Sequence, residues 1–311
     1  MRPSPSISFI LPALNGAHFL EACLDHLEAE MHEGDEIILV DNGSTDGTLE
    51  IAKARDSVIT LEQPDVTIAA LRNRGAEAAT HDILAFIDID CLLMPGWRSA
   101  VRARLGDATV SATGSRYDIP EKATWIERAW FSNRVSEAQP AHYINSGNLI
   151  VVRSAFDQIQ GFDEKLVTDE DYDLGARLRD AGLVMIEDPE VRVVHLGNAK
   201  TIPAFYRKTC WHSTSGMTLF TNGQHIDKPM VMTFAFMGLS LAAIMLLLFS
   251  ASKAHALAIL LLAVLFIPAL TSVYRMIQSG NASHFPQLVA LHTVWYFARS
   301  VTFVKERLLS P

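Results

Sequence analysis

Along the first 200 residues, short apolar runs alternate with stretches in which apolar positions recur every three or four residues. Ile7-Ser8-Phe9-Ile10-Leu11 predicts a strand stopped by Pro12, and Asn15-Gly16 predicts a turn. Phe19, Leu20, Cys23, Leu24 and Leu27 share one helical face. Glu36-Ile37-Ile38-Leu39-Val40 predicts a second strand that ends at Asp41, followed by turn formers from Asn42 to Gly47. A helix from Thr48 through Ala54, a strand Val58-Ile59-Thr60-Leu61 and a helix from Ile68 to Ala79 come next. The run from Asp82 to Ile87 closes the series and is apolar without alternation, as in a strand covered on both faces. This β-α-β-α-β-α-β order predicts an α/β fold with a doubly wound, mostly parallel sheet.

Beyond Pro95-Gly96-Trp97 the pattern is less regular. Trp125, Trp130 and Phe131 fall in a predicted helix and read as core. Asn145-Ser146-Gly147-Asn148 opens a strand, Leu149-Ile150-Val151-Val152, and Gly161-Phe162-Asp163 marks a turn. Thr168-Asp169-Glu170-Asp171-Tyr172-Asp173 runs into a helix with Leu174 and Leu178 four apart. Val191-Arg192-Val193-Val194 predicts a late strand that ends in His195.

The apolar excess lies after Pro229. Met230 to Phe249 carries no charge over about 20 residues, long enough to span a bilayer. Ala254 to Tyr274 is a second such run, interrupted by Pro268, which spans tolerate. Ser250 to Lys253 links them, so the two form a transmembrane hairpin with both ends on one side. Lys228, Arg275, Arg299, Lys305 and Arg307 flank that side, against Lys253 on the other, which predicts that the front α/β domain lies in the cytosol at the cytoplasmic membrane. In Pro286 to Val304, His292, Thr293, Tyr296, Arg299 and Ser300 form a polar stripe, so this segment is expected to lie in the interface, or to make a third span. The Asn281-Ala282-Ser283 sequon is then a chance match. The resulting division is 1–227, 228–277 and 278–311.

Composition narrows the chemistry. The formal net charge is -9 and no basic block is present, so nucleic acid is not an expected partner. Cys23, Cys91 and Cys210 are too few and too scattered for a disulfide framework or a zinc site. The N-terminus lacks a signal-peptide pattern. Neither a Gly-Lys-Ser/Thr phosphate loop nor G-x-G-x-x-G occurs. Asp88-Ile89-Asp90 sits where a strand ends, the edge of an α/β sheet at which ligands bind. Two carboxylates one residue apart suit a hard divalent cation; a solvated acidic turn is the alternative. Four carboxylates within 169–173 exceed what helix capping uses. His195 is either a ligand or a structural histidine.

In order and spacing, the motifs resemble the family 2 inverting glycosyltransferases, which have a nucleotide-sugar-binding domain of the GT-A type. The matching residues are Pro12-Ala13-Leu14-Asn15, Val40-Asp41-Asn42-Gly43-Ser44-Thr45-Asp46-Gly47-Thr48, Arg72-Asn73-Arg74-Gly75, Asp88-Ile89-Asp90, Ser146-Gly147-Asn148, Gly161-Phe162-Asp163-Glu164, Glu170-Asp171-Tyr172-Asp173-Leu174 through Arg177-Leu178, and His195. The resemblance implies a nucleotide-diphosphate sugar as donor and Mg²⁺ or Mn²⁺ as cofactor. Asp41 and Arg72 would hold nucleobase and ribose, with Pro12 and Ala13 lining the base pocket and Asn15 and Asp88 also on the nucleotide. Asp90 and Asp88 would be the metal motif, completed by His195. Asp171 would be the catalytic base, with Glu170 and Asp173 orienting base or acceptor. Gly16 departs from the family, where an acidic residue often follows the first Asn. Arg207-Lys208-Thr209-Cys210-Trp211 lacks the Gln of the processive Gln-x-x-Arg-Trp motif, which favours transfer of a single sugar. The expected acceptor is lipid-linked or a polysaccharide. The competing readings are an Asp-x-Asp phosphohydrolase, whose other motifs are missing here, and an inactive membrane-bound relative of the fold.

Overall fold

In the computed structural model, which describes residues 6–131, 135–221, 228–279 and 281–308, the early apolar runs become β1 (Ile7–Ala13), β2 (Glu36–Asp41), β3 (Val58–Glu62) and β4 (Ile83–Ile87). They are joined by α1 (Ala17–Glu30), α2 (Thr48–Lys53) and α3 (Ile68–Ala78). The chain continues through β5 (Cys91–Leu93), α4 (Trp97–Leu105), β6 (Val110–Gly114), α5 (Trp125–Trp130), β7 (Gln139–Pro140), β8 (Asn148–Val152), α6 (Arg153–Gln158), α7 (Glu170–Asp180), β9 (Val184–Glu187) and β10 (Val193–His195).

One sheet of eight strands has the order β3-β2-β1-β4-β8-β6-β9-β7. β3, β2, β1 and β4 are parallel, as the alternating pattern predicts. β8 runs antiparallel to β4 and β6, a reversal that local hydrophobicity does not encode. The loss of alternation has the expected cause. Phe9, Leu11, Ala85 and Ile87 pack on one face with Leu20, Leu24 and Trp97. Ile10, Leu84 and Phe86 pack on the other with Phe156, Phe162, Leu174 and Leu178.

Pro12 does not stop β1, which runs on to Ala13. The carbonyl of Ala13 accepts from the amide of Asn42, so Ala13 faces β2. In a parallel ladder the preceding residue then turns its nitrogen toward β4, where pairing has ended at Ile10. The missing N–H therefore removes no ladder bond.

The chain divides into two units, residues 1–121 with 133–198 and residues 122–132 with 199–311. The second unit holds α5 together with α8 (Ile202–Thr221), α9 (Lys228–Phe249), α10 (Lys253–Ser279) and α11 (Phe285–Leu308). The sequence boundary at 227/228 falls beside 222–227, which lie outside the described residues together with 1–5, as do the side chains of Lys228 and Arg307. Pro229–Phe249 and Lys253–Gln278 have mean hydropathies of 2.4 and 2.6, long and apolar enough to cross a membrane. Only 17% and 22% of their apolar windows are buried, unlike core helices of a soluble domain. α10 runs through Pro268.

The polar stripe of α11 turns partly inward. His292 Nδ1 lies 2.7 Å from Ser272 Oγ, and the Tyr296 hydroxyl 2.7 Å from Thr271 Oγ1, both on α10. Arg299 Nε donates to Thr233 Oγ1 on α9 at 3.1 Å. A polar face finds its partners among polar groups on neighbouring apolar helices, which the spacing within one segment cannot reveal. Trp130 packs within this unit against Phe205 and His292, with Arg275 over its ring at 4.7 Å.

Candidate active site

The site begins with a small sheet that hydrophobicity does not announce. β5 pairs antiparallel with β10, with His195 opposite Cys91. The amide of Leu196 donates to the carbonyl of Asp90 at 2.8 Å. This register delivers His195 from the end of the domain to the Asp-x-Asp turn, with His195 Nε2 at 3.3 Å from Asp90 Oδ2. Adjacent ligands of a hard cation at about 2.1 Å stand roughly 3 Å apart, so the pair fits one divalent ion. His195 Nδ1 is 2.9 Å from Asn198 Oδ1, and Asn198 Nδ2 donates back to the His195 carbonyl at 3.1 Å. An Nδ1–H donated to that amide oxygen leaves the Nε2 lone pair toward Asp90, the outer-shell device that fixes a ligand's tautomer. The Tyr117 ring stacks on the imidazole at 4.7 Å. A Cβ on Gly197 would come within 1.9 Å of Asp90 Oδ2, so a side chain there would displace the carboxylate. Cys91 completes the cluster of ligand-type atoms. Burial and the nearby aspartates push its thiol well up, so it stays protonated and suits a hard cation poorly.

Asp88 lies outside that cluster. Its Oδ1 accepts from Arg72 at 2.7 Å, and the other terminal nitrogen of Arg72 donates to Glu170 at 2.7 Å. Arg72 is 1% exposed. It is thus a buried clamp joining the Asp-x-Asp turn to the start of α7. Ser146 Oγ adds a bond to Glu170 at 3.0 Å. Asp171 follows Glu170, half-buried, and accepts from the amide of Ser146 at 3.3 Å. Burial, then the charge of Glu170, push its carboxyl up to about 7 against the pull of Arg72. Asp173 turns to its own helix and pairs with Arg177 at 2.6 Å, and Arg177 donates to the carbonyls of Ile159 and Gly161. That arrangement anchors α7.

At the ends of β1 and β2, Asp41 is 2% exposed. Its Oδ2 accepts from the amides of Gly43 and Ser44 at 2.9 and 2.8 Å. Its Oδ1 is buried with no partner among the described residues. Pro12 and Ala13 are buried beside it at the end of β1. Asn15 Oδ1 accepts from the amide of Thr45 at 2.9 Å and so pins the two loops together. Gly16 has a local cause: a Cβ there would lie 2.0 Å from Cδ1 of Ile89, whose side chain fills that space.

Asn198 and Tyr117 have no role in the sequence reading, and Ser146 enters it only as part of the Ser146-Gly147-Asn148 motif. Asn198 stands three residues after His195, and that spacing was its only available signal.

The fold and this arrangement define the class: a GT-A-type α/β domain followed by two apolar helices. The family model for glycosyl transferase family 2 matches residues 8–162, and over this domain the chain belongs to that family. Glycosyltransferase AglE of Haloferax volcanii is 29% identical over 195 residues, 57% of this chain and 62% of that protein. The chain thus spans about three-fifths of that relative's length. Succinoglycan biosynthesis protein ExoA of Rhizobium meliloti is 26% identical over 221 residues, 66% of this chain and 67% of that protein. Among solved structures, the mannosyltransferase PcManGT from Pyrobaculum calidifontis, in complex with GDP-Man and Mn²⁺, superposes with a TM-score of 0.62 at 17% identity, covering 98% of this chain and 89% of that one. GalNAc-T7 with UDP, GalNAc and Mn²⁺ gives 0.53 at 15% identity, over 70% of this chain and 51% of that one.

Proposed function

We propose that this protein is a membrane-anchored, inverting, metal-dependent glycosyltransferase. It moves a single sugar from a nucleotide-diphosphate sugar to a hydroxyl of a lipid-linked or polysaccharide acceptor. The observation that carries the reading is Asp171: a carboxyl pushed up to about 7, on a helix start that Arg72 ties to the Asp-x-Asp turn. A general base works best with its pKa near the working pH, and this one sits on a different element from the carboxylate pair assigned to the leaving group. Attack forms a bond from the acceptor oxygen to the anomeric carbon. The bond from that carbon to the diphosphate breaks, and its electron pair leaves with the diphosphate. The acceptor proton goes to a carboxylate oxygen of Asp171.

Asp90 and His195 would hold the cation, with Asp88 next to it. When bound, Mg²⁺ or Mn²⁺ stabilises the negative charge on the leaving diphosphate as a Lewis acid. Asp41 Oδ1, buried without a partner among the described residues, is the acceptor for a nucleobase N–H. Arg72 holds Asp88 and Glu170 in place. Mn²⁺ with GDP-Man in one structural neighbour, and with UDP and GalNAc in the other, supports this donor and cofactor class. The apolar helices support a membrane anchor. The basic residues on the side of the hairpin that joins the sheet domain support a cytosolic active site at the cytoplasmic membrane.

The test is calorimetric binding of UDP-, GDP- and dTDP-sugars to detergent-solubilised protein with and without Mn²⁺. The expected result is metal-dependent binding of one donor, lost in Asp90→Ala. Folded protein that binds none of them would overturn the reading.

A further inference from the structure

A cavity of about 320 Å³, lined by Arg116, Gln139, His142, Tyr143, Asn145 and Glu187 among others, has been given no role so far. Its volume is at the small end of the ~300–1,000 Å³ range of small-molecule sites. It adjoins the base. Asn145 precedes Ser146, whose amide bonds Asp171. The Tyr143 ring meets Tyr172, the residue after Asp171, at 5.7 Å. On α7, a Cβ at Gly175 would fall 2.8 Å from the His142 carbonyl and 2.9 Å from Tyr143 Cα. The cavity wall is therefore pressed directly on the helix that carries the base, so the distance from cavity to base is held by backbone packing.

The geometry points to this cavity as the subsite for the reacting end of the acceptor, and to a neutral sugar residue as that end, with no phosphate group there. The inference rests on the transferase reading above. Tyr143 is 44% exposed and offers a ring face, while the amides of Gln139 and Asn145 offer donors and acceptors for hydroxyls. Arg116 is the only fixed cation among the described lining residues, and Glu187 neutralises it through a 3.0 Å ion pair. A phosphate-ended lipid would bring up to two negative charges toward Asp169 and Asp171, whose charges already reach Tyr143, with the Arg116 charge already taken up by Glu187. Phosphate sites are built the other way, with cations in excess. The chemistry agrees. A phosphate oxygen is already ionised at neutral pH and gives a base nothing to remove, whereas a sugar hydroxyl must lose its proton to Asp171 as the bond to the donor carbon forms.

The test uses the full-length protein in detergent with Mn²⁺ and whichever of UDP-glucose, UDP-galactose or GDP-mannose it binds. Acceptors are 4-nitrophenyl glycosides of glucose, galactose and mannose, against undecaprenyl phosphate, with products read by mass spectrometry. The expected result is transfer to at least one glycoside and none to the phosphate. Tyr143→Ala should raise the KM for that glycoside at least tenfold, and Tyr143→Phe, which keeps the ring, should restore it. A donor dissociation constant measured on each variant reports whether it is folded. Transfer to undecaprenyl phosphate, or donor binding without transfer to any glycoside, overturns the inference and leaves the transferase reading standing. An unchanged KM in Tyr143→Ala removes the cavity as the subsite. Failure to bind any nucleotide sugar overturns both.

Discussion

Replacing Asp171 with Asn separates catalysis from folding at a single atom. Its carboxyl ionises near pH 3.9 in an unfolded chain and at about 7 in the fold. With the folded value raised, the fold prefers the protonated form. Below about pH 4 both states are protonated and the group costs nothing. As pH rises from about 4 to 7, stability falls, and above 7 the full cost is present. That displacement amounts to on the order of 4 kcal/mol, and because the side chain is only half-buried, solvent screening brings it to about 2–4 kcal/mol. An Asn at this position carries no charge and keeps an oxygen for the Ser146 amide. Asp171→Asn should therefore unfold several degrees higher than wild type at pH 8, with little difference at pH 4. Transfer should fall about 10²–10⁴-fold while donor binding persists. In wild type, kcat/KM should decline with unit slope below about pH 7, as the base protonates. The assay is a pair of thermal unfolding curves at the two pH values alongside initial transfer rates from pH 5.5 to 8.5. A variant that turns over within tenfold of wild type, or a flat wild-type profile, would refute the assignment.

Further predictions follow from the clamp, the metal pair and the helices. Arg72→Leu strands Asp88 and Glu170 without their cation and should destabilise the domain by about 3–5 kcal/mol in a denaturant titration. Asn198→Ala frees the His195 ring and should weaken Mn²⁺ binding about 10–100-fold, read by calorimetry, with the fold intact by circular dichroism. Asp41→Ala removes the buried acceptor and should weaken free nucleotide binding about 10–100-fold whatever sugar the donor carries. Alkaline carbonate washing of native membranes should leave the full chain in the pellet and release a chain lacking 229–278.

Much of this molecule was legible in its residues. The parallel half of the sheet could be read because each β-α-β unit buries its own apolar stripe, a local property. So could the two apolar helices, since length and lack of charge within one segment suffice. Asp88, Asp90, Asp171 and His195 stood out as candidates because strand ends and helix starts are where an α/β sheet exposes chemistry, and their expected roles came from the family resemblance. What stayed hidden depends on pairing between distant segments. Hydrophobic runs do not tell the antiparallel β8 from a parallel strand. The three-residue β5 is too short for any periodicity, yet only its register with β10 sets His195 beside Asp90. Arg72 reads from the sequence as a nucleotide contact, and the fold adds what the sequence does not show: its two terminal nitrogens bridge carboxylates 16 and 98 residues away. Neither that clamp nor the cavity beside Tyr143 has a sequence signature: the clamp exists only once α3 meets Asp88 and α7, and the cavity only once the 139–145 segment packs beside Arg116 and Glu187. The residue types and their local periods determined the elements and the kind of chemistry; the long-range packing decided how deeply Asp171 is buried and which distant charges it meets, and through burial first its raised pKa.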